Sequence, residues 1–386
     1  MNETSHPTRR FLYLDSARGL AAMSVVVWHF IAAFSITNNN RFFTFSPAHF
    51  FWYGEADVVF FFIHSGFILT YAYANRQSKL TAGNYLRFLI ERIFRIYPLF
   101  LFILIISFLL QKNLYPIDKL NYVTEKFHSF WQDDFSFNKL LKSAALIFSV
   151  SQQSVSLIPQ DWTLAIEIII GPFVPLLAFI LKRNKLQWLF WMIVFILIFL
   201  LRINTYLFEF ALGIFLFYNW QIINNAWRSL NRFLRILMPV IAVVLYTCIF
   251  HFSSLFDFSY VLIRPGADRF IVAIGCGLFF CIIISSGIVQ KIMSFPLLVK
   301  IGKACYSLYL WHMIFLICFA DFFMQWLNKI IIIPQSGSLI IFFILYMILN
   351  LLLSQVTYKF IEIPFNRLGK RIGRHAEILL NKFIKP

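Results

Sequence analysis

Ten apolar stretches, each about as long as a membrane is thick, constrain this chain more than any other feature. They are centred on 17–37, 56–75, 94–111, 161–181, 187–201, 204–219, 235–252, 268–289, 304–326 and 338–361. A helix needs about 20 mostly apolar residues to cross the hydrocarbon layer. These runs are continuous rather than alternating, so helices fit them and a barrel pattern does not. With 60% hydrophobic and only 13% charged residues, the chain has too little polar surface to wrap a water-soluble core. In lipid that difficulty vanishes, provided each backbone segment closes its own hydrogen bonds. The expected fold is an all-α polytopic membrane protein with about ten transmembrane helices. The two shortest spans, 187–201 and 204–219, are separated only by Arg202 and Ile203, and the apolar stretch 143–150 is too brief to cross.

Lysine and arginine set the orientation. With the N-terminus inside, every short inner connection carries more of them than its outer neighbours, so both termini are expected to be cytoplasmic. The net charge of +17 follows from that distribution. It points to anionic lipid head groups as the partner rather than nucleic acid. Residues 1–16 form a cytoplasmic lead, 17–363 the membrane domain and 364–386 a basic cytoplasmic tail. The sizeable outer segment, 112–160, carries Tyr115, Tyr122, Phe127, Phe130 and Trp131, which suggests a lid at the membrane interface. No cleavable signal peptide is expected, because the first apolar run follows a charged lead without a small-residue cleavage site. The five cysteines show no metal-ligand spacing and read as packing residues, so no metal is expected.

Ionisable residues inside the spans are the informative ones, since each is costly unless paired or facing a cavity. Asp15 and Arg18 stand at the inner mouth of the first span, and His29 lies eleven residues beyond Arg18. Eleven residues is close to three helical turns, so Arg18 and His29 share a face, roughly 16 Å apart along the axis. His64 in the second span and His312 in the ninth reach a similar depth. Glu167 and Glu209 enter the fourth and sixth spans from outside. Against a functional reading, an intramembrane histidine can simply hydrogen-bond across helices, and either glutamate can be a structural ion-pair partner. A three-histidine metal site would draw on three separate helices with no local spacing signal. Arg92 and Arg95, before Tyr97-Pro98, sit three apart and share a helical face suited to a phosphate. The competing explanation is the inner-loop charge bias itself.

These motifs, in this order, resemble the acyltransferase 3 family of multi-spanning bacterial enzymes that modify surface polysaccharides. The resemblance runs from about Leu12 to Pro364. It rests on Arg18 and His29 within and after Leu-Asp-Ser-Ala-Arg-Gly-Leu, Ser65-Gly66-Phe67, Arg92-x-x-Arg95 with Tyr97-Pro98, and Trp162-x-Leu-x-x-Glu167. Tyr306-Ser-Leu-Tyr-Leu-Trp-His312 and Glu362-Ile-Pro364 complete it. The resemblance implies an acyl-CoA donor, usually acetyl-CoA, on the cytoplasmic side and a carbohydrate or lipid-linked glycan acceptor on the periplasmic side. The enzyme would be an O-acetyltransferase of the bacterial inner membrane, with lipopolysaccharide O-antigen the favoured acceptor class. It carries the essential pair onto Arg18 and His29 and the donor-binding arginines onto Arg92 and Arg95. Glu167 is a further catalytic candidate, and Asp15, Ser65, Trp162, His312 and Glu362 are candidates for the cavity lining. His64 departs from the family pattern, where an aliphatic residue is usual. His29 would act as general base on a sugar hydroxyl or would carry the acyl group transiently. The alternative is a proton-coupled transporter or flippase using His29, His64, His312 and Glu167 as a relay.

Overall fold

Long helices account for nearly everything resolved in the computed structural model, which describes residues 11–36, 46–74, 81–114, 122–131, 136–146, 156–181, 196, 205–248, 267–330 and 334–384. The first helices are α1 (Leu12–Ala33), α2 (Gly54–Ala74) and α3 (Ala82–Leu114). The segment that follows holds two short ones, α4 (Glu125–Ser129) and α5 (Phe137–Ala144). Then come α6 (Asp161–Ile170), α7 (Phe173–Leu181), α8 (Thr205–Tyr218), α9 (Trp220–Ser229) and α10 (Arg232–Tyr246). The chain continues through α11 (Ala267–Ser285), α12 (Gly287–Met293), α13 (Pro296–Lys303), α14 (Cys305–Ile330), α15 (Gln335–Thr357) and α16 (Ile363–Ile384). No strand occurs among the described residues.

Five of these helices are long and apolar enough to cross a membrane, and up to eight spans result if each bent pair counts as one. Every expected span except 187–201 meets a described helix; 187–201 lies outside the described residues apart from Ile196. The bends have local causes. Between α6 and α7 the chain turns by 43° at Gly171-Pro172, where proline offers no N–H to continue the ladder. Between α11 and α12 it turns by 89°, and the Ser286 side chain caps the new helix by accepting from the Val289 N–H.

Glycine sets two of the crossings. A Cβ on Gly66 would lie 2.2 Å from the Phe210 carbonyl oxygen, and one on Gly213 would lie 2.1 Å from the Ile63 oxygen. Backbones of α2 and α8 therefore touch, as small residues permit in membranes, where close packing drives helix association. Gly19 and Gly302 do the same for α1 and α13, since a Cβ on Gly302 would lie 2.1 Å from the Asp15 oxygen. Glu209 proves to be a structural partner. It is fully buried and paired in a fork with Arg269, Oε1 to Nε at 2.6 Å and Oε2 to Nη2 at 3.3 Å.

Two expectations are refined. Arg87–Arg95 lies in the first turns of α3, which begins well before the expected span 94–111 and runs unbroken through Pro98. The basic tail is a helix laid along α3, with Arg87 bonded to Glu377 at 3.0 Å and Gly369 and Gly373 facing Phe94 and Arg87. Within the 112–160 segment, Phe127 and Trp131 are buried in the core rather than lying at an interface. The Trp131 indole donates to the Leu157 carbonyl at 3.1 Å, and the Thr124 N–H donates to the Ala33 carbonyl at 2.8 Å. The segment is thus fastened to the C-terminal end of α1. Tyr115 lies outside the described residues.

Candidate active site

The helices α1 and α14 bring two histidines together. His29 Nδ1 lies 2.9 Å from the Val25 carbonyl oxygen, one turn back on its own helix, and 3.2 Å from His312 Nε2. The two ring centroids are 4.9 Å apart. His312 is fully buried and its Nδ1 lies 2.6 Å from the Tyr309 carbonyl. That carbonyl also accepts from the Gln160 amide at 3.1 Å, and the Tyr309 hydroxyl lies 3.0 Å from Thr163 Oγ1. The start of α6 therefore fixes the turn that carries His312. His29 itself is only partly buried.

Towards the N-terminal end of α1 the polar residues line two adjoining cavities. A central one of about 60 Å³ is bounded by Arg18, Phe61, Ser65, Glu167, Cys305 and Tyr309, among others. A basic one of about 50 Å³ is bounded by Arg18, His64, Ser65, Arg92, Arg95 and Glu167, again among others. Arg18, Ser65, Glu167 and Tyr306 belong to both walls. The Ser65 hydroxyl donates to Glu167 Oε1 at 2.6 Å. Arg92 is buried and donates to the Glu167 carbonyl oxygen at 2.8 Å, with the carboxylate 3.9 Å away. A guanidinium near the C-terminal turn of α6 suits the exposed carbonyls and the helix dipole there. Gly171 makes room for it, since a Cβ there would sit 2.5 Å from Arg92 Nη2.

The structure thus separates residues that the sequence treats alike. Arg92 is held by Glu167, whereas Arg95 is exposed and makes no hydrogen bond to a described residue. Both line the basic cavity, as does Arg18. His64 is buried there, and its Nε2 has no hydrogen-bond partner among the described residues. Glu362 lies apart from both cavities, in the π-helical turn Tyr358–Glu362. Its carboxylate accepts from the backbone N–H and the hydroxyl of Ser307, closing the first turn of α14. Trp162 packs at a tilt of 46° against Tyr206, with centroids 5.8 Å apart, and lines neither cavity. Asp15 stands at the α1–α13 crossing and lines neither.

Tyr309, Thr163, Gln160 and Cys305 are the participants that sequence reasoning did not single out. One signal was available: Cys305, Tyr309 and His312 fall at i, i+4 and i+7, a single helical stripe. Nothing local in the sequence marks Gln160 or Thr163. Among the described residues no group of three or more His, Cys, Asp or Glu could hold a metal ion.

What the arrangement offers is a partly buried imidazole, joined through α1 to a pocket of guanidinium groups about three turns away. That combination suits transfer chemistry on an anionic, activated donor. Comparison with known proteins agrees. No curated protein and no solved structure gives a significant match. The family model of the acyltransferase 3 group, described as an acyltransferase domain, matches residues 11–359, nearly the whole chain. The chain therefore belongs to the acyltransferase 3 family and is a multi-pass membrane acyltransferase.

Proposed function

We propose that the protein transfers an acetyl group from cytoplasmic acetyl-CoA to a sugar hydroxyl of a cell-surface polysaccharide, such as lipopolysaccharide O-antigen, at the bacterial inner membrane. Both termini and the Arg95 mouth then face the cytoplasm, in line with the distribution of lysine and arginine. The observation that carries this reading is the polar column itself. Arg95 and Arg18 stand at one end, Ser65 and Glu167 follow, and the Tyr309 turn leads to the His29–His312 pair. The cavities are far too small for a whole coenzyme, so only the slender acyl end enters while the phosphates stay at the arginine mouth. Arg95 and Arg18 are the guanidinium groups available for phosphate; Arg92 keeps Glu167 and the end of α6 in place.

The donor supplies an activated thioester. His29 Nε2 takes the proton of the sugar hydroxyl as its oxygen bonds to the thioester carbon. The carbon–sulfur bond breaks, and the leaving thiolate takes that proton from His29. Arg95→Ala is expected to raise the apparent KM for acetyl-CoA roughly tenfold or more, as loss of a charge-assisted contact does, with kcat little changed. An unaltered KM would remove Arg95 from the donor site.

The decisive experiment is mass spectrometry of surface polysaccharide from cells with the gene deleted and restored. Loss of one acetyl increment on a single sugar, regained with the wild-type gene, establishes the reaction and names the acceptor. If no glycan changes, the surface-polysaccharide assignment fails. Flux that depends on the proton gradient and needs no acyl-CoA would then favour a transporter.

A further inference from the structure

The hydrogen bonds around the two rings determine where their protons sit. A carbonyl oxygen can only accept, so His312 Nδ1, 2.6 Å from the Tyr309 oxygen, must carry a hydrogen. In the neutral ring its Nε2 is then a bare lone pair. His29 Nδ1 faces the Val25 oxygen and must also carry a hydrogen. That hydrogen lies between two acceptors, the Val25 oxygen at 2.9 Å and His312 Nε2 at 3.2 Å, as a three-centre bond. The basic nitrogen left on His29 is Nε2, on a residue that is only partly buried.

We infer that His312 is the positioning residue of a neutral histidine pair: its Nε2 accepts the Nδ1 proton of His29 and leaves His29 Nε2 as the base. The inference rests on the acyl-transfer reading and assigns the mechanical basis of that step. In soluble triads a carboxylate orients the catalytic imidazole and stabilises the imidazolium. A carboxylate at the place of His312, which is fully buried, would bring a net negative charge into the membrane, and such charges are costly there. A second imidazole gives the same lone pair with no charge. When His29 Nε2 takes the sugar proton, the cation keeps both Nδ1 acceptors, and no atom of His312 need gain or lose a proton. The pair is held from several sides. Gln160 donates to the carbonyls of Tyr309 and Leu310, Thr163 meets the Tyr309 hydroxyl, and Glu362 closes the first turn of α14. Among the described residues no carboxylate is hydrogen-bonded to either ring, so none competes with His312 for the role.

Two variants and one spectrum test this. His312→Gln keeps an acceptor near the position of Nε2 but cannot act as an acid or base; His312→Leu removes the acceptor. With purified protein in lipid nanodiscs, acetyl-CoA as donor and the polysaccharide identified by the deletion strain as acceptor, His312→Leu is expected to lower kcat about 100-fold, within the range set by general-base catalysis. The donor KM should stay unchanged. His312→Gln should recover most of that loss. If Gln and Leu are both as inactive as His29→Ala, His312 takes part in the chemistry itself and the positioning role is overturned. If both match wild type, the pair has no role. Nitrogen-15 spectra of histidine-labelled wild-type protein, assigned by comparison with the His29→Ala and His312→Gln variants, should show His29 protonated on Nδ1. Protonation on Nε2 overturns the inference, and this reading needs neither donor nor turnover. A wild-type protein that transfers no acetyl group would instead sink the acyl-transfer proposal and leave the tautomer result standing.

Discussion

Replacing His29 with Ala is expected to abolish the proposed acetyl transfer while leaving the protein folded in the membrane. Positioned acid–base groups contribute about 10²–10⁴-fold to rate, so transfer should fall below detection in cells. The fold should hardly notice. Among the described residues His29 bonds to the Val25 carbonyl and to His312, both neutral contacts, and such bonds are each worth about 1 kcal/mol net. The check is glycan mass spectrometry alongside an immunoblot of the membrane fraction. Full acetylation with normal protein levels would end the assignment of His29, whereas loss of both signals would expose a structural role instead.

The second large effect belongs to the fold. Gly213→Val should prevent stable assembly of the bundle. A Cβ there would lie 2.1 Å from the Ile63 oxygen, 2.7 Å from the Phe67 nitrogen and 3.0 Å from the Gly66 Cα. All three are backbone atoms of α2, so no side chain can swing away and the two helices must part. Overpacking a well-packed core costs about 1–3 kcal/mol; a clash with three backbone atoms of a neighbouring helix leaves no side chain to move and should exceed that range. Because α2 carries Ser65, the bond from its hydroxyl to Glu167 goes too. Gly287→Ala is the matched control. It sits in the first turn of α12 with nothing within 4 Å of the added carbon, and should leave stability unchanged or raised by about 0.5–1 kcal/mol. Detergent thermal-melt curves monitored by fluorescence would separate the two. Equal melting of Gly213→Val and wild type would mean that α2 and α8 do not touch as described.

Much of this was legible in the amino-acid order, and the reason is lipid. A helix in a bilayer must be continuous and apolar, so Leu12–Ala33, Gly54–Ala74 and Cys305–Ile330 announce themselves by composition alone. The depth of His29 and its face shared with Arg18 follow from helical rise and twist, without tertiary information. What sequence could not supply is which helices are neighbours. His29 and His312 stand 283 residues apart, and their contact depends on the crossing of α1 with α14. The arginine pair shows the same limit. Arg92 and Arg95 share a helical stripe, yet one is buried against Glu167 and the other exposed, because α6 ends beside only one of them. Glu362 was grouped with the cavity residues, while its carboxylate in fact closes a helix end. The charged start of α3 falls outside the apolar stretch 94–111 because its residues are polar. It is helical because α16 lies along it, with glycines at 369 and 373 allowing close approach.

The continuous rod of α15, the π-helical turn and α16 has a mechanical consequence. Gln335 to Phe383 forms one unbroken helix. Its far end grips the part of α3 that bears Arg92 and Arg95, and at its mid-point Glu362 clasps the first turn of α14, seven residues into which stands His312. The arginine mouth and the His29–His312 pair, about three helical turns apart along α1, are thus both fastened to a single strut. Both fastenings, Arg87 to Glu377 and Ser307 to Glu362, lie beyond Tyr358, so a stop codon just past it is expected to unmoor both ends together.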